Sequence, residues 1–112
     1  MRLLYLKREL MEFKNVDVAK KANIFYDGHV TSRILKFDDG STKTLGIMLP
    51  GEYEFNTIHE EIMEIEAGEL EVLLPAEDWK KIVAPQTFSI PPNAKFTLRV
   101  HTLVDYCCSF IR

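Results

Sequence analysis

The 112-residue chain predicts an all-β domain, on three observations. Turn formers recur at roughly 8–12-residue intervals from Ile24 onward, the runs between them are rich in β-branched and aromatic residues, and no long segment holds a helical period. The turns are Asp27-Gly28, Asp38-Asp39-Gly40-Ser41, Pro50-Gly51, Ala67-Gly68, Pro75-Ala76-Glu77-Asp78, Pro85-Gln86 and Pro91-Pro92-Asn93, and every one contains Gly or Pro.

Strands are expected over 30–37, 43–49, 52–57, 62–67, 70–74, 79–83, 87–90, 95–100 and 103–112. One stretch is ambiguous, since Ile58, Ile62, Ile65 and Leu70 could mark a helix face among good helix-forming glutamates. Gly68 in its middle and the alternation of Met63, Ile65 and Ala67 with Ile62, Glu64 and Glu66 favour two strands with a turn at Gly68. Ahead of the strands, Leu3, Leu6, Leu10 and Phe13 recur at helical spacing, diluted by Asn15, Asp17 and Lys20-Lys21. Residues 1–22 are therefore expected as an N-terminal extension or arm, and 23–112 as the domain proper.

Composition narrows the function. Hydrophobic residues at 46% and charged residues at 28% describe an ordinary globular chain with enough apolar surface for one core. Fourteen basic against seventeen acidic residues give a net charge of −3, which argues against a nucleic-acid footprint. No apolar stretch approaches the roughly 18 residues of a membrane span, and Leu3-Leu4-Tyr5-Leu6 is too short for a signal peptide, so a cytoplasmic protein is expected. The two cysteines, Cys107 and Cys108, are strand neighbours that point to opposite faces and so are poorly placed to bond each other.

Alternation assigns side chains to the interior. Glu52, Glu54 and Asn56 must face water, which turns Tyr53, Phe55 and Thr57 inward. The other inward sets are Met63, Ile65 and Ala67, then Leu70, Val72 and Leu74, then Phe96, Leu98 and Val100. Extending the first of these backward turns Glu61 inward too, a carboxylate in an aromatic-lined interior, where a buried ion is paired, neutralised or functional. The competing reading is a strand start whose side chain reaches solvent. Arg33 shares parity with Leu35 and Phe37, and Lys43 with Leu45, Ile47 and Leu49, which makes them the natural cationic partners. Met48 is apolar on the opposite parity, so that strand reads as covered on both faces, by a second sheet or a partner chain.

The stretch Lys43-Thr-Leu-Gly-Ile-Met-Leu-Pro-Gly-Glu-Tyr-Glu-Phe-Asn-Thr57, followed by Glu61-Ile-Met-Glu-Ile-Glu-Ala-Gly-Glu-Leu-Glu-Val72, resembles the small single-domain cupin family of pyrimidine/purine nucleoside phosphorylases. The resemblance continues through Leu74-Pro75, Trp79, Phe88, Pro91, Phe96 and Asp105-Tyr-Cys-Cys108, covering the chain from about Ile24 onward. It implies a cupin-type antiparallel double-sheet barrel, a jelly roll with its site in the barrel mouth. Metal-binding cupins carry two histidines one residue apart, then a glutamate, then a third histidine. Here Glu61 keeps the glutamate, while Phe55, Thr57 and Phe96 stand at the histidine positions, a set unsuited to a transition metal. His29, His59 and His101 are neither at ligand spacing nor on inward parity.

The resemblance implies metal-independent phosphorolysis of purine and pyrimidine nucleosides, with inorganic phosphate as co-substrate and ribose 1-phosphate and free base as products. Glu61 would be catalytic, holding ribose hydroxyls and stabilising a cationic sugar. Arg33 and Lys43 would bind phosphate. Tyr53, Phe55 and Phe96 would form a flat apolar slot for the base, with Thr57 and Tyr106 adding hydroxyl contacts. A homodimer is expected, from the family and from the apolar sheet face around Ile47 and Met48. The alternatives are a metal-dependent cupin enzyme, a non-catalytic cupin binding a sugar or nucleotide, and a structural dimer module.

Overall fold

Alternating sequences with frequent turns can bury their apolar sides only by laying one sheet on another, and the chain does so. The computed structural model describes residues 11–112. Among them are β1 (Asp17–Val18), β2 (Asn23–Phe25), β3 (Val30–Lys36), β4 (Thr42–Met48), β5 (Gly51–Asn56), β6 (Glu60–Ala67), β7 (Glu69–Leu73), β8 (Lys80–Val83), β9 (Gln86–Ile90), β10 (Lys95–Val100) and β11 (Val104–Ile111), with a 3-10 turn at Tyr26–Gly28.

The larger sheet runs β1-β3-β4-β11-β6-β9, with β2 also paired to β3, and the smaller runs β5-β10-β7-β8. All these pairings are antiparallel. The all-β expectation therefore holds, and the two strands expected around Gly68 are β6 and β7. Gly68 is needed there: its φ is +96°, and a Cβ would run into the Leu103 carbonyl. The short strands β1 and β2 were not expected. β1 lies within the segment read as an arm and pairs with the end of β3, Asp17 opposite Lys36. The helical spacing at Leu3, Leu6 and Leu10 falls outside the described residues, while Phe13 packs edge-to-face on Phe37 with centroids 5.3 Å apart.

The inner faces meet in a core that includes Met48, Ile65, Leu70, Val72, Ile90 and Leu98, each at most 1% exposed. The core fills one end of the barrel, where Met48 lies opposite both Val30 and Val104. The outer face of the smaller sheet is wet. Arg99 lies over the Trp79 ring at 3.8 Å and beside Glu52, and ion pairs join Lys95 to Glu54 and Lys81 to Glu69. No helix among the described residues is long and apolar enough to cross a membrane.

Candidate active site

At the end that the core leaves open, the two sheets enclose a cavity of about 470 Å³, within the range of small-molecule sites. Strand register organises its larger-sheet wall. In the rim row, Lys36 lies opposite Thr42 on β3 and β4, and Phe110 lies opposite Glu61 on β11 and β6. One row deeper, Ile34, Thr44, Cys108 and Met63 run across the same four strands. A further row places Ser32, Gly46 and Tyr106, and these rows apart from Gly46 supply most of that wall's lining.

Gly46 explains how the aromatic ring of Tyr106 fits. A Cβ at Gly46 would stand 2.7 Å from that ring and collide with the Thr31 carbonyl. Without one, the ring crosses β4 and its hydroxyl donates to the Thr31 carbonyl oxygen at 3.0 Å. Burial, reinforced by the nearby Cys108 and Glu61, pushes the Tyr106 phenol well above its ordinary range, so it stays a neutral donor.

Glu61 is the one carboxylate lining the cavity among the described residues. Its Oε1 accepts a hydrogen bond from the Cys108 thiol at 3.3 Å. Burial raises the Glu61 carboxyl above its ordinary value, and the Cys108 donor partly opposes that rise. The same burial, with the carboxylate beside it, pushes the Cys108 thiol far up, so this cysteine is a donor and not a thiolate. Cys107 points to the other face, where burial and Glu64 push it up to about 11. Both cysteines are free and unlinked, in keeping with their opposite faces.

The smaller-sheet wall is aromatic. Phe55 and Phe96, opposite each other on β5 and β10, have centroids 5.9 Å apart. Phe25 meets Phe55 edge-to-face at 5.9 Å and lines the mouth. Next to it Tyr26 holds a positive φ of 51°, an uncommon conformation for an aromatic residue. Its hydroxyl donates to the Glu54 carbonyl at 2.6 Å and accepts the Glu54 N–H at 2.9 Å. One tyrosine thus satisfies the open edge of β5 and fastens the β2–β3 turn over it.

The structure gathers Glu61, Phe55, Phe96 and Tyr106 around this cavity. Tyr53 and Thr57 face inward as expected but are core residues that do not line it. The Tyr53 hydroxyl donates to the Leu49 carbonyl at 2.7 Å. Thr57 Oγ1 donates to the Pro91 carbonyl at 2.7 Å and accepts the Ala94 N–H at 3.0 Å. Arg33 and Lys43 lie on the outer side of the larger sheet, which corrects the parity read from sequence. The exposed Arg33 guanidinium donates to the Lys20 carbonyl, and Lys43 Nζ donates to Ser109 Oγ at 2.9 Å. On β3 both faces are apolar, and the cavity side proves to be Val30, Ser32, Ile34 and Lys36. The sequence reading missed Lys36, Thr44, Cys108 and Arg112. Lys36 shares the parity of Val30 and Ile34, a signal hidden by the equally apolar Leu35 and Phe37.

The cupin fold raises the question of a metal. The donors facing the cavity are one carboxylate and one thiol held protonated, with no imidazole among them, and this set does not fit a transition ion. No group of three His, Cys, Asp or Glu able to hold a metal occurs among the described residues. His101 Nε2 instead lies 2.7 Å from Glu71 Oε1 on the outer face of the smaller sheet.

An antiparallel double-sheet barrel with a lined mouth is the cupin architecture. The fold is similar to a cupin from Shewanella frigidimarina, with a TM-score of 0.66 at 18% identity, covering 88% of this chain and 86% of that one. A protein of unknown function from Acinetobacter sp. ADP1 is more similar, with a TM-score of 0.85 at 34% identity, covering 89% of this chain and 98% of that one. The family model described as pyrimidine/purine nucleoside phosphorylase matches residues 20–110. A pyrimidine/purine nucleoside phosphorylase from Sulfurimonas denitrificans is 54% identical over 92% of this chain and all of its own length. One of the same name from Chlorobium chlorochromatii is 53% identical over 91% of this chain and 99% of its own. The chain belongs to the pyrimidine/purine nucleoside phosphorylase family.

Proposed function

We propose that the cavity catalyses phosphorolysis of purine and pyrimidine nucleosides without a metal. Family membership supports the reaction class, and the observation that carries the reading is Glu61, a carboxyl raised by burial and set across from an aromatic wall. In this reading a phosphate oxygen bonds to C1′ while the C1′–N bond breaks and its electron pair leaves with the base. The net proton transfer is from phosphate to that nitrogen, so nucleoside and phosphate become ribose 1-phosphate and free base. Positive charge develops on the sugar, and Glu61 in a partly dry wall stabilises it more strongly than a solvated carboxylate would. Cys108 fixes the carboxyl by donating to Oε1, leaving Oε2 for ribose hydroxyls. The base stacks on Phe55 and Phe96, a surface that offers a flat apolar face and little hydrogen-bond discrimination, which suits a broad base range. Arg33 and Lys43, turned to the other side of the sheet, are not carried into this reading.

The test is to incubate pure protein with uridine or adenosine, with and without inorganic phosphate. Free base and ribose 1-phosphate in equal amounts, only when phosphate is present, are the expected products. Base release that ignores phosphate would overturn the reading.

A further inference from the structure

Phosphorolysis brings a dianionic co-substrate to a protein with a net charge of −3, so the molecule must reverse its charge locally. The described basic side chains divide sharply. Arg33 and Lys43 are engaged on the outer side of the larger sheet, and Lys81, Lys95 and Arg99 are paired on the outer face of the smaller one. Lys36 and Arg112 alone among the described cations line the cavity, and neither forms an ion pair with another described residue. Against them stands a single acidic side chain in the lining, Glu61.

Register places the two together. Lys36 at the end of β3 lies opposite Thr42, and Arg112 follows β11 two residues beyond Phe110, on the same side of the strand. They therefore flank the start of β4 at the rim, with Thr42 lining the wall between their strands. A planar guanidinium, a mobile ammonium and a hydroxyl are the donors that hold a tetrahedral oxyanion. This group sits on the larger-sheet wall, while Phe55 and Phe96 form the facing wall. A base on one wall and an anion on the other leave C1′ between nucleophile and leaving group, as an in-line displacement requires.

We infer that Lys36 and Arg112, with Thr42, form the inorganic phosphate site at the cavity rim. The inference rests on the phosphorolysis reading, and it is tested by two measurements that fail separately. In the first, base release is followed at varied phosphate for wild type, Lys36→Gln, Arg112→Gln and the outer-face control Lys43→Gln. Each rim variant should raise KM for phosphate about 10-fold or more, the size of a lost charged hydrogen bond. KM for the nucleoside should rise much less, and Lys43→Gln should track wild type in both. In the second, inorganic phosphate alone is titrated into each protein by calorimetry, with no nucleoside present. Binding by wild type that is lost in the rim variants supports the site even if turnover is never seen. Unchanged phosphate KM in both rim variants, or phosphate binding by both rim variants equal to that of wild type, would overturn it.

Discussion

The two sheets of this molecule obey the same alternation, yet only one announces its orientation. In the smaller sheet, β5 and β10 carry charged or polar residues on every second position, and the opposite set is buried without exception from Phe96 to Val100. In the larger sheet, β3 buries residues of both parities, Ser32 and Leu35. Its neighbour β4 buries only Thr44 and Met48 on one face and leaves the apolar Leu45 on the other 40% exposed, which corrects the expectation that this strand is covered on both faces. A strand polar on one parity and apolar on the other leaves a record of its orientation in the sequence, while a strand with apolar residues on both leaves none. The cavity lies between a wall of each kind.

The sharpest way to separate the walls is to remove the charge from one and the aromatic surface from the other. Glu61→Gln should cut base release about 10²–10³-fold, as loss of a preorganised electrostatic contact does, with a melting temperature close to wild type. Steady-state rates and a thermal melt check both halves. On the facing wall, Phe96→Ala and Phe55→Ala should diverge. Phe96 is 3% exposed and belongs to the core, so its truncation should cost about 3–5 kcal/mol of stability in urea unfolding. Phe55 is half-buried at the cavity, and its truncation should instead raise KM for the nucleoside by about 2–10-fold, the worth of one aromatic contact.

A subtler effect follows from pH. Burial raises the Glu61 carboxyl, so its ionised, competent form appears only as pH climbs through a value above the ordinary carboxylate pKa of about 4.3. The acid limb of kcat/KM should lie correspondingly high. The stability contribution runs the opposite way, being fully present below the ordinary value and fading as pH rises through the raised one. A pH–rate profile beside a pH–melting series checks the pair of signs. The smallest expected change is on the wet face: the exposed Arg99–Glu52 pair, broken by Glu52→Gln, should shift unfolding by no more than about 0.5 kcal/mol.

What sequence could supply divides along the same line. The strand boundaries were legible because Gly and Pro mark them, and Glu61, Phe55 and Phe96 were legible because they extend clear alternations. The cations were not. Arg33 sits on a strand apolar on both parities, and on β4 the more apolar parity, Leu45 and Ile47 with Lys43, is the one that faces away from the cavity, so the side that meets the cavity could be settled only by which sheet covers which face. Cys108 was hidden for a related reason, as Cys107 and Cys108 are both buried, on opposite sides of one central strand. Tyr53 and Thr57 show the limit of parity itself. Facing inward is necessary to line the cavity but not sufficient, and both lie where the interior is already filled.

A crystal structure soaked with a non-cleavable nucleoside analogue would locate base and ribose in one measurement. The base should lie against Phe55 and Phe96, with the ribose hydroxyls on the Glu61 carboxylate. An analogue bound outside the cavity, or a ribose that leaves Glu61 untouched, would contradict it.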